Sequence, residues 1–420
     1  MQQVLLKHTR PEHTIQLDEY KELGGYQSLN KVLNLKSPQE VIQILNAANL
    51  KGRGGAAFPM GQKLLTLPVD LSKPRYVVCN ADEMEPGTFK DRNLIERNPH
   101  QLIEGMIITG FASRANQGII FIRPEYEAGA QILEEEIKKV EQEGWLGNNI
   151  NDSDFSYHIE VHRSGGRYIC GEATALLNAL EGKRPNPRKQ PPFPTLEGLW
   201  KSPTDVQNVE TLCCVPHILN YGAEWFHSLG MADGASGTKL FSVSGKVNKP
   251  GCYELPLGIR LSDIIENHAG GMKDGAAFKA CLPGGASTRY IPDSLYDIEM
   301  DFTSMQKQGY RLGTAAMMIF DENTCLVEAT INLTNFFARE SCGWCTPCRE
   351  GLPYIRDLLT RIENGEGKPE YYDKLVQMVD HLNYAFCAFA PGAGAPVESL
   401  LTVFKDEVMA HIEGGKCPFK

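Results

Sequence analysis

The chain has 420 residues, of which 42% are hydrophobic and 22% charged. That is enough apolar material for a core, and it excludes a disordered or fibrous polymer. The length suits two or three domains, and a net charge of −10 argues against nucleic-acid binding driven by bulk positive charge.

No apolar run approaches the roughly 18 residues of a membrane span. Residues 1–13 lack an apolar signal core, so a cytoplasmic chain without direct membrane insertion is expected. Twelve cysteines in such a chain are then metal ligands, nucleophiles or core filler rather than a disulfide framework.

Residues up to about 235 read as alternating helices and strands. Ser37-Pro38-Gln39-Glu40 predicts a helix start. Ser37 caps, Pro38 suits the first turn and Glu40 completes a capping box. Val41, Ile42, Leu45 and Ala48 follow at helical spacing. Tyr76 to Asn80 and Ile119 to Ile122 read as buried strands, and Leu133, Ile137 and Val140 mark a charged amphipathic helix. Tyr157, Ile159 and Val161 alternate with His158, Glu160 and His162, the period of a half-buried strand. Strands separated by helices predict an α/β fold with a parallel sheet.

The segment 183–203 breaks this rhythm. Five prolines between Pro185 and Pro194, with Lys183, Arg184, Arg188 and Lys189, predict a stiff basic surface loop. From about 238 the texture changes. Leu240 to Val243 and Cys252 to Leu255 flank Pro250-Gly251, a hairpin signal. Leu261, Ile264 and Ile265 suggest a short helix, completing a small α+β module. The last 85 or so residues read as helices. Leu352, Ile355, Leu359 and Ile362 share one face, and Leu375, Met378 and Leu382 another.

Four segments carry chemistry. Cys342-Gly343-Trp344-Cys345-Thr346-Pro347-Cys348 is C-x2-C-x2-C, with Cys387 as a distant fourth thiol. Thiols so spaced can converge on a cubane iron–sulfur cluster; a tetrahedral zinc site or inert cysteines are the alternatives. Cys79, Cys170, Cys252, Cys281 and Cys325 read as small core residues, and Cys213, Cys214 and Cys417 receive no role. Gly52-Arg53-Gly54-Gly55-Ala56-Ala57 follows a helix rather than a strand. It is either a phosphate cradle, with Arg53 and Lys63 supplying charge, or a plain tight turn.

Asn80-Ala81-Asp82-Glu83-Met84-Glu85-Pro86-Gly87 ends a predicted strand. That position suits ligand binding; a divalent-metal site or a solvated loop are the other readings. Tyr168-Ile169-Cys170-Gly171-Glu172 reads as a second such junction, with Gly171 opening a helix that closes at Gly182. His158 and His162 read as polar strand positions rather than a metal pair.

Together with Asn208-Val209-Glu210-Thr211-Leu212 and Glu340-Ser341-Cys342-Gly343, these motifs make the chain resemble the NADH-oxidising flavoprotein subunit of respiratory complex I. The resemblance runs from near residue 50 to the last cysteine. It implies a Rossmann-like FMN- and NADH-binding domain over 1–235, a ubiquitin-like module over 236–328 and a helical bundle with a 4Fe–4S cluster over 329–420. It implies FMN contacts from Gly52, Arg53, Gly54, Gly55, Lys63, Asn80, Asp82, Tyr168, Gly171, Glu172, Asn208 and Thr211. It places Phe58, Phe193, Glu85 and Ala173 at the nicotinamide nucleotide, and Cys342, Cys345, Cys348 and Cys387 on the cluster. Hydride transfer from NADH would then be cofactor chemistry, with no acid–base residue required.

The implied partners are a small thioredoxin-like 2Fe–2S subunit and a large multi-cluster iron–sulfur subunit, in a peripheral arm at the inner membrane. A diaphorase subunit of an NAD-linked hydrogenase or formate dehydrogenase uses the same module. A non-catalytic zinc-binding scaffold is the reading from a different class. Three positions depart from the family pattern: Ala173 where a second Glu is usual, Gln190 for a Lys, and Gln207 for an Asn.

Overall fold

A computed structural model describes residues 3–232 and 234–420. The chain forms two compact units. The first comprises the chain through Met84, Phe89–Phe241 and Cys252–Ile259; the second comprises Glu85–Thr88, Ser242–Gly251 and Arg260–Lys420.

The first unit is built on four parallel strands: β1 (Tyr76–Ala81), β2 (Gln117–Ile122), β3 (His158–Arg163) and β4 (Thr204–Asn208). Their order across the sheet is β3-β2-β1-β4. Val78 lies between Ile119 and Val206, and Asn80 between Phe121 and Asn208. The central strands are covered on both faces, so Val77 to Cys79 and Ile119 to Ile122 are almost free of solvent. This is why they read as continuous apolar runs. β3 lies at the sheet edge; His158 and Glu160 face solvent while Ile159 is buried, the expected alternation.

The chain runs outward from β1 to β2 to β3, then returns to add β4 on the other side of β1. The strand order therefore reverses between β1 and β4. A crevice forms outside the carboxyl ends of strands at such a point.

Helices cover this sheet. The helix Pro38–Ala47 carries the expected capping box: Glu40 N–H donates to Ser37 Oγ (3.3 Å), and Ser37 N–H to the Glu40 carboxylate (2.7 Å). The helix Glu127–Gln142 buries Leu133, Ile137 and Val140 as its spacing requires. The helices Pro99–Ser113 and Val209–Tyr221 touch backbone to backbone. A Cβ on Gly105 would sit 2.1 Å from the Leu212 carbonyl oxygen.

Two sequence expectations need correction in this unit. Tyr168–Gly171 is a 3-10 turn rather than a strand end, and the next helix, Ala173–Leu180, opens after Glu172 rather than at Gly171. The cause is the Glu172 carboxylate, which accepts the N–H groups of Thr174 (3.0 Å) and Ala175 (2.8 Å) and so acts as the cap. Within the proline-rich loop, Arg188 turns inward. It donates to Asn178 Oδ1 (2.9 Å) and the Gly198 carbonyl (2.8 Å) and pairs with Glu181.

A five-stranded sheet in the order β6-β5-β9-β7-β8 contains the predicted hairpin, β5 (Thr238–Gly245) and β6 (Gly251–Pro256). The other strands are β7 (Phe278–Leu282), β8 (Ile291–Pro292) and β9 (Ala316–Asp321). β9 runs parallel to β5 and antiparallel to β7. Apart from its strands, the second unit is mainly helical: Leu326–Glu340, Thr346–Glu363, Pro369–Leu382, Phe389–Thr402 and Lys405–Gly414. Leu352, Ile355, Leu359 and Ile362 form a buried face as expected. In the helix Pro369–Leu382 the buried set is Leu375, Val379 and Leu382, with Met378 only partly covered. The i, i+4, i+7 line wins over i, i+3 there.

The Gly105 contact gives a test. Gly105→Ala should destabilise the protein by about 1–3 kcal/mol in urea unfolding, because backbone atoms on the facing helix cannot rotate aside. An unchanged midpoint would refute the backbone contact.

Candidate cofactor sites

The glycine turn sits at the crevice between β1 and β4. Gly52 N–H donates to the Phe58 carbonyl (2.9 Å), closing the loop. Gly55 has a φ of +122°, in the range that favours glycine. A Cβ on Gly54 would lie 3.2 Å from Asn208 Cβ, the last residue of β4. Arg53 is buried: its N–H donates to Thr211 Oγ1 (2.9 Å) and its Nη2 to the Ser236 carbonyl (3.1 Å). Lys63, on the helix Met60–Leu65, donates to the Val206 carbonyl (2.5 Å). Burial lowers its pKa against the opposing pull of Asp205.

The loop after β1 reaches the same crevice. Asn80 Nδ2 donates to the Gly171 carbonyl (2.8 Å), and Asn80 Oδ1 accepts Asp82 N–H (3.2 Å). Asp82 Oδ1 accepts the Ser164 hydroxyl (2.6 Å), while Oδ2 is buried with no hydrogen-bond partner among the described residues. Burial pushes the Asp82 carboxyl up to about 7, although Ser164 and Arg123 pull the other way. Tyr168, Gly171, Glu172 and Ala173 are each half-buried beside this loop, Ala173 being the first residue of its helix.

Beneath the crevice lies an ion network that no sequence motif announced. Lys90 Nζ is 2.6 Å from Asp91 Oδ1 and 3.0 Å from Glu210 Oε2; Lys239 Nζ is 2.6 Å from the same Glu210 oxygen. All four side chains are at most 3% exposed. Asn208 ties the network to the crevice: its Nδ2 donates to Asp91 (2.7 Å), and its Oδ1 accepts Lys90 (3.0 Å) and Glu210 N–H (3.1 Å). Burial alone would raise Glu210, yet Lys239, Lys90 and Arg53 hold it at about 2. The lysines part company. Lys239, with Glu210 as its carboxylate, is brought down to about 8 by burial. Lys90 is driven up, because Asp91, Glu210 and Glu83 together outweigh the same penalty.

Glu83 is committed to structure. It accepts the N–H groups of Asp91 (2.8 Å) and Arg92 (3.1 Å) and the Tyr126 hydroxyl (3.0 Å). The acidic loop therefore does not offer this carboxylate to a divalent metal. Phe58 and Phe193 are 53% and 55% exposed, leaving both rings open for stacking. Phe193 is anchored through its carbonyl, which accepts Leu196 N–H (2.8 Å) and Glu197 N–H (2.9 Å). A Thr66–Thr195 hydroxyl bond (2.7 Å) ties its loop to the end of the helix Met60–Leu65. Glu85 belongs to the second unit, where its Oε1 accepts Ser287 N–H (2.7 Å). His158 is exposed and His162 stacks on Phe121, 5.6 Å between centroids, so the two remain polar strand positions.

The thiol cluster lies in the second unit. Gly343 has a φ of +77°, which lets the chain turn between Cys342 and Cys345. Cys345 then immediately precedes the helix Thr346–Glu363, placing Cys348 in its first turn. Cys387 arrives from the loop after the helix Pro369–Leu382, where Phe386 N–H donates to Cys345 Sγ (3.4 Å). The Phe386 and Trp344 rings lie parallel at 6.1 Å. Burial raises the Cys348 thiol to about 11, and the neighbouring Cys387, Cys342 and Cys345 add to it. Cys342, Cys345 and Cys348 on one turn, with Cys387 near enough to act on Cys348, supply the four thiols that a cubane cluster takes.

The crevice likewise fits a flavin mononucleotide. It offers Gly54, where a Cβ would crowd Asn208, Gly52, where a Cβ would crowd the Phe58 carbonyl, and a buried Asp82 carboxyl oxygen without a partner among the described residues. Of the cysteines read as core filler, Cys79, Cys170 and Cys281 are buried and Cys252 is half-buried, while the buried Cys325 differs in contacting the polar Glu363 and His411.

Lys90, Asp91, Glu210 and Lys239 were missed as a unit. The available signal was Glu210 in the first turn of a helix after Asn208, and the Lys90-Asp91 pair opening another. Glu210→Gln should cost about 3–5 kcal/mol at neutral pH, since it strands the buried Lys239 ammonium and removes one of the two carboxylates paired with Lys90. A carboxylate with a depressed pKa contributes stability above its unfolded pKa and loses it as pH falls through the folded value. The wild-type advantage over Glu210→Gln in urea titrations should therefore shrink from about pH 4.5 downward. A pH-independent difference would overturn the charge pairing.

The Nuo51 FMN-binding domain model matches residues 45–217. The SLBB domain model matches 240–290, and the NADH-ubiquinone oxidoreductase-F iron-sulfur binding region matches 328–411. The chain is 44% identical to the second NADH-quinone oxidoreductase F subunit of Rhizobium meliloti, over 99% of both chains. It is 48% identical to the NADH-quinone oxidoreductase F subunit of Escherichia coli, over 94% of this chain and 90% of that one. Among solved structures, a chain of an NAD+-reducing NiFe-hydrogenase in the air-oxidized state superposes with a TM-score of 0.81 at 34% identity. That match covers 90% of this chain and spans 63% of the hydrogenase chain's length. With such identity over nearly its whole length, the chain belongs to the family of NADH-quinone oxidoreductase F subunits.

Proposed function

We propose that the crevice between β1 and β4 holds FMN, that Phe58 and Phe193 receive NADH beside it, and that Cys342, Cys345, Cys348 and Cys387 hold the 4Fe–4S cluster. The chain is the electron-input subunit of an NADH-quinone oxidoreductase. The observation that carries the site assignment is the convergence of Gly54, Asn80, Asp82 and Asn208 at the switch point, inside the stretch matched by the FMN-binding model. The three-part division at 1–235, 236–328 and 329–420 belongs to this reading; the family matches fall at 45–217, 240–290 and 328–411, the last starting one residue before the third part.

Bound FMN supplies hydride acceptance and single-electron release, which links a two-electron donor to a one-electron acceptor. The protein's residues do the rest. Gly52, Gly54 and Gly55 let the backbone approach the ligand, with Arg53 and Lys63 adding positive charge at its phosphate end. Asn80 and Asp82 meet the flavin's polar edge, and Asp82 Oδ2 is poised to hold or give a proton to a ligand heteroatom near neutral pH. Asn208 and Thr211 hold ribityl or phosphate groups, and Tyr168, Gly171 and Glu172 wall the cavity. Exposed Phe58 and Phe193 supply stacking surfaces, and Ala173 and Glu85 are the further residues assigned to the nucleotide.

Among the described residues, no helix is long and apolar enough to cross a membrane. A thioredoxin-like 2Fe–2S subunit and a large multi-cluster subunit are the proposed partners, in an arm peripheral to the inner membrane. The hydrogenase match supports a diaphorase role as a second reading, but at lower identity than the NADH-quinone oxidoreductase relatives.

Two substitutions test the assignments. Cys348→Ala should retain FMN yet lose the EPR signal of one reduced 4Fe–4S cluster; a persisting signal would reject the ligand set. Ala173→Glu should lower the NADPH-to-NADH ratio of kcat/KM by about tenfold or more, because a carboxylate at the ribose repels the extra phosphate. An unchanged ratio would remove Ala173 from the nucleotide site.

A further inference from the structure

A second constellation of metal-ligand type lies in the helical part of the second unit, apart from the cluster thiols. Cys325 caps the helix Leu326–Glu340, Glu363 ends the helix Thr346–Glu363, His411 lies on the helix Lys405–Gly414, and Cys417 follows it. One ligand atom from each lies within 4.8 Å of every other. Along their shared helix, Glu363 stands roughly 22 Å from Cys348 at about 1.5 Å per residue, so the two constellations are distinct.

The spacings within the group are those of a coordination sphere. Cys325 Sγ is 3.3 Å from Glu363 Oε2 and 3.4 Å from His411 Nε2, and those last two atoms are 3.1 Å apart. Tetrahedral zinc, with bonds of about 2.3 Å to sulfur and about 2.0–2.1 Å to nitrogen or oxygen, spaces neighbouring ligand atoms by roughly 3.3–3.8 Å. The surroundings also suit a metal. His411 Nδ1 lies 2.7 Å from the Glu407 carbonyl, which can only accept. Nδ1 therefore carries the proton, and the Nε2 lone pair faces the other three ligands. Glu328 N–H donates to Cys325 Sγ (3.3 Å), which holds the sulfur in place beside the other three groups. Lys420 Nζ, 2.9 Å from the other Glu363 oxygen, offsets the surplus negative charge of two thiolates and a carboxylate on a divalent ion.

We propose that Cys325, Glu363, His411 and Cys417 form a structural zinc site that fastens residues 405–420 to the helices Leu326–Glu340 and Thr346–Glu363. Two sulfurs, a nitrogen and an oxygen suit zinc; calcium and magnesium take oxygen ligands, and a cubane takes four thiolates. Binding replaces the two thiol protons, which leave to solvent. A cysteine–histidine nucleophile is excluded by geometry. Glu363 approaches the same imidazole nitrogen as Cys325, so it cannot orient the ring from behind, and His411 is fully buried.

The test is metal analysis of the FMN- and iron-loaded protein, purified without added chelator or metal. About one zinc per FMN is expected, with two sulfur and two lighter neighbours in zinc-edge X-ray absorption. His411→Ala and Cys417→Ser should each lose the zinc while keeping FMN and iron; Cys348→Ala should lose iron while keeping the zinc. A wild-type protein with full FMN and iron but no zinc would overturn the site. So would a sulfur-free zinc shell, or zinc retained in both His411→Ala and Cys417→Ser. The wild-type stoichiometry and shell decide the matter even if a variant fails to fold.

Discussion

The first unit depends on a buried pairing of charge under the carboxyl ends of β1 and β4. Glu210 accepts two ammonium groups with no solvent exposure, and Lys90 shares itself between Glu210 and Asp91. Each ion would be strongly disfavoured alone in that interior, so the four persist only as a set. The set joins the start of the helix Lys90–Arg97 to the start of the helix Val209–Tyr221. Those helices follow the two strands between which the sheet reverses its order. The ion network thus fixes the floor of the crevice.

The crevice inherits its shape from that floor. Asn208 is held by both Lys90 and Asp91, so its backbone and Cβ form a rigid wall against which Gly54 closes. Thr211, one turn further on, accepts the Arg53 N–H and pins the glycine turn from the other end. Asp82 is the one carboxyl at the rim with a buried oxygen unengaged by the described residues. Burial raises its pKa while its neighbours Glu83 and Glu172 are spent on helix starts, which leaves Asp82 available as a polar contact for the proposed flavin.

The second unit uses a different device. Its helical part places ligating side chains where helices begin and end. Cys345 and Cys325 each stand at a helix N-terminus, and Cys325 Sγ accepts the Glu328 N–H there. Glu363 lies at the far end of the helix that Cys345 opens, and His411 belongs to a separate helix. One helix therefore serves two donor groups at its opposite ends.

Local structure was largely determined by the sequence itself. The capping box at Ser37 and Glu40, the apolar runs of β1 and β2, and the C-x2-C-x2-C turn all depend on neighbours a few residues apart, so their patterns are visible in one dimension. The family motifs at the crevice were visible for the same reason. Only the tertiary structure decided which charges are buried. Lys90, Glu210 and Lys239 are separated by more than a hundred residues or about thirty, and nothing local marks them as partners. It also turned Arg53 inward and gathered Cys325 and Cys417, unremarkable in sequence, around Glu363 and His411. The physical reason is common to all three. The sign and strength of a side chain's electrostatic role depend on burial and on partners brought by the fold, and neither has a period or spacing that a sequence can display.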